Sequence, residues 1–306
     1  MTIDVVLRED VSRRAQGESV SVSPRLDGQA FNLVQHSSRT PANRRSVAGV
    51  LYGRTVLPWV LPAMAVLLWY SVTASGYVSP NILPSPLTVL TTAEALWSAG
   101  TLQHDIWVSL GRIAFGFALG SSTGFLLGIA VGISSRARLV FDRSVQMIRT
   151  IPHLALVPLM ILWFGIGEQP KVLLVALGAL FPVYINTASG IRNVDPKLIE
   201  LGRAYGLSQR EIITQIVLPA ALQPILVGVR YALGVAWLTL VVAETIASRE
   251  GIGYLVQNAR ELLRTDIIIL AIILYSIAGW LADWLIRIVE SRLLRWHPNY
   301  APGANK

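Results

Sequence analysis

Residues 195–219 read DPKLIELGRAYGLSQREIITQIVLP. This polar stretch lies between apolar runs near 171–191 and 217–247, each long enough to cross a hydrocarbon core of about 30 Å. Asp195 followed by Pro196 starts a helix, and Gly206 ends it in the left-handed conformation that glycine enters cheaply. Ser208 with Glu211 three residues on is a capping box that starts the next helix. The stretch therefore reads helix, turn, helix, tethered at both ends by membrane spans. A helix-turn-helix also fits DNA. Here Arg192, Lys197, Arg203 and Arg210 are offset by Asp195, Glu200 and Glu211, and the tether holds both ends, so nucleic acid is not an expected partner.

Outward from the loop, further apolar segments lie near 56–74, 108–133, 144–165 and 267–289, making six spans in all. Each satisfies its own backbone hydrogen bonds as a helix, so the expected fold class is all-α, a polytopic membrane protein with six transmembrane helices. Pro152 and Pro158 should kink the third span. Composition agrees: of 306 residues 53% are hydrophobic and only 14% charged, which excludes a soluble enzyme. The chain contains no Cys, hence no disulfide, thiolate metal site or thiol nucleophile. No histidine pair at metal-binding spacing and no Gly-x-Ser-x-Gly turn occurs either, so no metal, cofactor or catalytic residue is assigned to this chain.

The net charge of +8 is unevenly placed. Arg44, Arg45 and Arg54 precede the first span, while residues 75–107 hold no Lys or Arg. Arg136, Arg138 and Arg143 follow the second span, the lone Lys171 follows the third, and the polar loop is basic again. Cationic connections resist translocation, so both termini are expected in the cytoplasm. Residues 248–266 dissent with Arg249, Arg260 and Arg264, partly balanced by Glu250, Glu261 and Asp266. Residues 1–50, rich in Arg, Ser and acids and without an apolar run, read as a disordered cytoplasmic tail. A permease domain follows over 51–298, then a short tail over 299–306. In the outer connection, Ser85 and Pro86 start a short helix that runs to about Trp97, either a connector on the membrane surface or a docking surface.

Gly116, Gly120, Gly124, Gly128 and Gly132 recur at a spacing of four, a groove along which another helix packs closely. Each step of four drifts about 40° around the axis, which favours a crossing helix over a parallel neighbour. Ionisable residues inside spans are functional candidates. Arg112 is expected to snorkel to the headgroups in preference to a substrate role. Arg230 either attracts an anion or holds a carboxylate or carbonyl of a neighbouring helix, and Glu244, four turns away on the same helix, is a structural or gating residue that cannot reach it. His153 reads as a hydrogen-bonded helix residue, and Asp283 with Arg287 as an ion pair. His153, Trp163, Arg230 and Glu244 are the candidates for the pathway or its gate.

The polar loop resembles that of permease subunits of importers driven by ATP-binding cassettes. That family carries Glu-Ala-Ala, three residues, Gly, nine residues, Ile, one residue, Leu-Pro. This chain has Glu200, Gly206, Ile216, Leu218 and Pro219 at those spacings, with Leu201 and Gly202 in place of the two alanines. The runs IPHLALVPLMILWFGIGE, LVALGALFPVYINT, GIRNVDPKLIELGRAYGLS and VGVRYALGVAWLTLVVAETIAS are similar to the group that handles aliphatic sulfonates, taurine and nitrate, nearest to the aliphatic sulfonate permeases. The resemblance covers about residues 55–298. It implies the type I importer permease fold, a place in the bacterial inner membrane, and a coupling loop over 192–216 that docks a separate ATPase. Leu198, Leu201, Ala204 and Tyr205 would be its apolar face, Glu200 and Arg203 its rim, and Gly202, Gly206, Ile216, Leu218 and Pro219 its frame. It also implies a homodimer in the lipid bilayer with two ATPase subunits, which carry ATP and Mg, and a periplasmic substrate-binding protein. The chain is not the motor, since none of its three lysines, at 171, 197 and 306, lies in a phosphate-binding loop. An ion-gradient-driven secondary transporter is the rival reading. It would usually show inverted repeats and several intramembrane carboxylates, and only Glu244 lies well inside a span.

Overall fold

The computed structural model describes residues 47–294 and Trp296. The chain divides into two compact units, Met1–Leu57 and Pro58–Lys306; the described part of the first is helical from Val47. The tail expected over 1–50 lies outside the described residues up to residue 46, as does the tail over 299–306.

Among the described residues the regular structure is all helix. In chain order the helices are α1 (Leu57–Ala74), α2 (Pro86–Ser98), α3 (Thr101–Ile133), α4 (Ser135–Arg149), α5 (His153–Phe164), α6 (Glu168–Arg192), α7 (Pro196–Ala204), α8 (Gln209–Ile246), α9 (Ile252–Glu261) and α10 (Thr265–Leu293). Five of them, α1, α3, α6, α8 and α10, are long and apolar enough to cross a membrane, and α4 with α5 meets the same test as a pair bent by 79°. The kink expected in the third span is thus a break: α4 ends at Arg149, and Pro152, which has no N–H to give, stands between it and the next helical turn. Pro182 and Pro224, by contrast, sit inside unbroken helices.

The glycine stripe of α3 packs against α6. A Cβ on Gly116 would strike Val175, on Gly120 the Ala176 carbonyl, on Gly124 the Leu180 carbonyl, on Gly128 Thr187 and on Gly132 Ile191. The partner is therefore a helix running alongside in the same direction, not one crossing at a point. The α6 carbonyls that face Gly116, Gly120, Gly124 and Gly128 belong to Val172, Ala176, Leu180 and Tyr184, at steps of four, so both stripes drift together around their axes and the glycines from 116 to 132 stay opposed to α6 for about 24 Å.

This pairing also fixes the path of the chain. Since α3 and α6 run the same way, the chain between Ile133 and Glu168 must return along the full length of the pair, and α4 with α5 makes that return. Helix α8 runs opposite to α6, with Gly190 against Pro224, Gly228 against Asn186, and Gly178 against Thr239. Ile113, Val175, Ala179, Val183, Ala232, Ala236 and Leu240 fill the centre of the three-helix unit. At the end far from α7, α2 and α9 pack onto α10 through Val89, Leu255, Ala259, Ile267 and Leu270. Ser85 caps α2 by accepting the Thr88 N–H at 3.2 Å, as its sequence implies.

Candidate functional site

The polar loop folds as its capping residues dictate. Asp195 Oδ1 accepts the Lys197 N–H at 2.9 Å, and Gly206 takes φ +77°. Leu207 N–H then closes back onto the Gly202 carbonyl at 3.0 Å. The Ser208 N–H donates to Glu211 Oε2 at 2.7 Å and the Glu211 N–H to Ser208 Oγ, completing the capping box.

The motif residues then separate into two sets. Ile199 and Leu207 pack against Ile191, Val194, Ile212 and Val217, and a Cβ on Gly202 would lie 2.6 Å from Ile216 Cδ1. Ile216 thus occupies the space a side chain at Gly202 would take, and Leu218 and Pro219, half-buried, continue that frame into α8. The other set faces away from the bundle. Leu198 is 44% exposed, Leu201 53% and Tyr205 79%, with Glu200, Arg203 and Ala204 exposed around them. Packing against neighbouring spans does not account for this apolar face.

At the opposite end a buried ion cluster joins α3, α6 and α8. Arg112 is only 3% exposed, which corrects the expectation that it snorkels to the headgroups. Its Nε and Nη2 donate to Glu168 at 2.6 and 2.7 Å, and its Nη1 donates to Glu244 Oε1 at 2.8 Å and to the Glu250 carbonyl at 2.7 Å. Carboxylates from two other helices reach it at its own depth, so it has no need to extend to water. Glu244 is fully buried; it also accepts Ser109 Oγ–H at 2.8 Å and the Gly253 N–H at 2.9 Å. Lys171 Nζ bonds Glu168 at 2.9 Å and Ser248 Oγ at 3.2 Å, and Asp105 accepts the Gly251 N–H at 2.7 Å. Gly251, at φ +106°, would press any Cβ onto Glu244 and Arg112, so glycine is required there. The cluster thus clamps the turn that leads from α8 into α9.

The four pathway candidates do not converge. His153 Nε2 lies 2.9 Å from Thr239 Oγ1, a hydrogen bond as its sequence context implies. Trp163, 64% exposed, lines an apolar depression of about 410 Å³ with Leu119, Thr123 and Leu177. Arg230 is held by Glu290 and, at 3.4 Å, by Asp283, so of its two readings the carboxylate partner is realised. Asp283 also pairs with Arg287 at 2.6 Å. Glu244, sealed in the cluster, pairs with Arg112 and not with Arg230. Sequence reasoning missed Ser109, Glu168 and Glu290. The available signal was that Arg112 and Arg230, lying within spans, each require a carboxylate from another element.

Residues 120–295 match the family described as binding-protein-dependent transport system inner membrane component. The chain is 50% identical over 245 residues to an aliphatic sulfonates transport permease protein of Escherichia coli (strain K12), covering 80% of this chain and 93% of that protein. It is 44% identical over 252 residues to one of Bacillus subtilis (strain 168), covering 81% and 91%. Among solved structures, an amino acid ABC transporter superposes with a TM-score of 0.53 at 16% identity over 66% of this chain and 97% of that one, a likeness of fold. On this match, and on a helix-turn-helix loop carrying the family's spacing between two spans, the chain belongs to the binding-protein-dependent transport system inner membrane component family.

Proposed function

We propose that this chain is the membrane-spanning permease subunit of an importer for aliphatic sulfonates, driven by a separate ATP-binding-cassette ATPase. The observation that carries the proposal is the outward apolar face of α7. Leu198, Leu201 and Tyr205 project beside Glu200 and Arg203, an apolar centre with a charged rim, which is the composition of a protein interface. Arg136, Arg138, Arg143, Arg192, Lys197, Arg203 and Arg210 lie in the connections at the same end, and this excess of cations supports reading it as the cytoplasmic end, with both termini inside.

In this reading residues 51–298 form the permease domain and Asp195–Pro219 the coupling loop. Two copies build one pathway across the bacterial inner membrane, two ATPases bind ATP and Mg beneath it, and a periplasmic binding protein delivers the anion. The chain itself performs no hydrolysis and holds no cofactor. Closure of the ATPases around ATP moves both α7 helices, and the rigid frame of Gly202, Ile216 and Pro219 passes that motion into α8. Sulfonate as cargo is supported by the names of both relatives above.

The test is uptake into proteoliposomes holding this protein and its ATPase, with the binding protein outside and ethanesulfonate, taurine or nitrate as substrate. ATP-dependent uptake of ethanesulfonate in preference to the other two is expected. Uptake that needs only an ion gradient would overturn the proposal, and a preference for taurine or nitrate would revise its substrate.

A further inference from the structure

Several cations along the bundle are held by carboxylates: Arg112 by Glu168 and Glu244, Lys171 by Glu168, Arg192 by Asp142, and Arg230 by Glu290 and Asp283. Arg149 is different. It is exposed and makes no ion pair or side-chain hydrogen bond among the described residues.

Its depth follows from its neighbours. Four residues before it, Val145 packs with Tyr184 and Ala188 of α6. Four residues after it, His153 bonds Thr239 and lies beside Gly178 of α6. Arg149 therefore stands level with the stretch between Gly178 and Tyr184, the middle of Glu168–Arg192, about 18 Å from either end of that helix. A guanidinium at that depth is too costly to leave facing lipid.

The backbone there gives a second, independent indication. The chain leaves the helix at Thr150 and resumes helical turns at His153, and Met147–Pro152 are all exposed on this subunit. Non-helical backbone at membrane depth is tolerated only where protein buries it or water reaches it. Among the described residues of the subunit, nothing buries this break.

We infer that Arg149 binds the transported anion at mid-depth, on a water-filled path that runs past the break between α4 and α5. The inference rests on the importer reading and names the residue that meets the cargo. A sulfonate offers three oxygens bearing one shared negative charge, and the planar guanidinium fork donates to two of them at once. With no carboxylate partner among the described residues, Arg149 has its donors available for each arriving anion.

The experiment uses the complete transporter in proteoliposomes with ethanesulfonate as the probe. Arg149→Gln is expected to lower ATP-dependent uptake at least about tenfold while the ATPase still co-purifies, and Arg149→Lys to retain an intermediate rate. Because the chain has no Cys, Thr150→Cys supplies a single thiol at the break. An anionic methanethiosulfonate reagent should label it from water, more slowly when ethanesulfonate is present and more slowly again in the Arg149→Gln background. Full uptake by Arg149→Gln, or a Thr150→Cys thiol that water-borne reagent does not reach, would overturn the assignment. Failure of the unsubstituted complex to import with ATP would instead refute the importer reading, so the two failures are distinct.

Discussion

A carboxylate with no exposed surface needs partners on both oxygens, and Glu244 has them: Arg112 and Ser109 on Oε1, Ser109 and the Gly253 N–H on Oε2. Removing it would leave Arg112 short of one counter-charge and the Gly253 N–H unsatisfied in a dry site. Glu244→Ala should cost about 3–5 kcal/mol, read as a lower melting temperature in detergent and faster proteolysis between Ser248 and Glu261. Glu244→Gln, which keeps an acceptor, should cost less. At this scale the sequence was legible for residues acting through their own neighbours. Asp195, Gly206, Ser208 and Glu211 cap and turn the loop because each bonds within a few residues of itself. Arg112 was misjudged because its partners lie 56 to 138 residues away in sequence, where spacing carries no information.

Among the elements, α7 carries two faces with opposite jobs. Leu201 and Tyr205 are exposed, so Leu201→Asp or Tyr205→Asp should leave the melting temperature of the isolated permease unchanged. Each should weaken co-purification of the ATPase at least about tenfold, the effect of truncating a central apolar contact. Gly202→Leu on the inner face should do the reverse first. It drives a side chain into Ile216 and loosens the turn, so the permease's own stability falls by about 1–3 kcal/mol, measurable in the same melt. The glycine stripe of α3 was equally plain as a close-packing face, yet its partner was not. A repeat of four fixes which face is smooth; the matching steps on α6 decide that the neighbour runs alongside.

For the molecule as a whole, Arg230 ties α8, which leaves the polar loop, to α10. Glu290 is 3% exposed, so Arg230→Gln strands a buried carboxylate. Uptake should fall and stability drop by about 1–3 kcal/mol with ATPase binding intact, and Arg230→Gln with Glu290→Gln should recover much of the stability, since the pair is then removed together. Unchanged melting in the single variant would show that the tie is idle.

The sequence by itself determined the all-helical membrane class, the capped loop and the smooth face of α3. Those features depend on hydrophobic runs, glycine spacing and hydrogen bonds between near neighbours, all of which are local. Tertiary structure alone decided that α3 and α6 run parallel, that the third crossing breaks at Pro152, and that Arg112, Glu168 and Glu244 form one cluster. It also decided that Arg149, level with the middle of α6, has no carboxylate partner among the described residues. Each of these is a pairing between segments far apart in the chain, and whether a buried charge is satisfied depends on which side chains the packing brings to its depth.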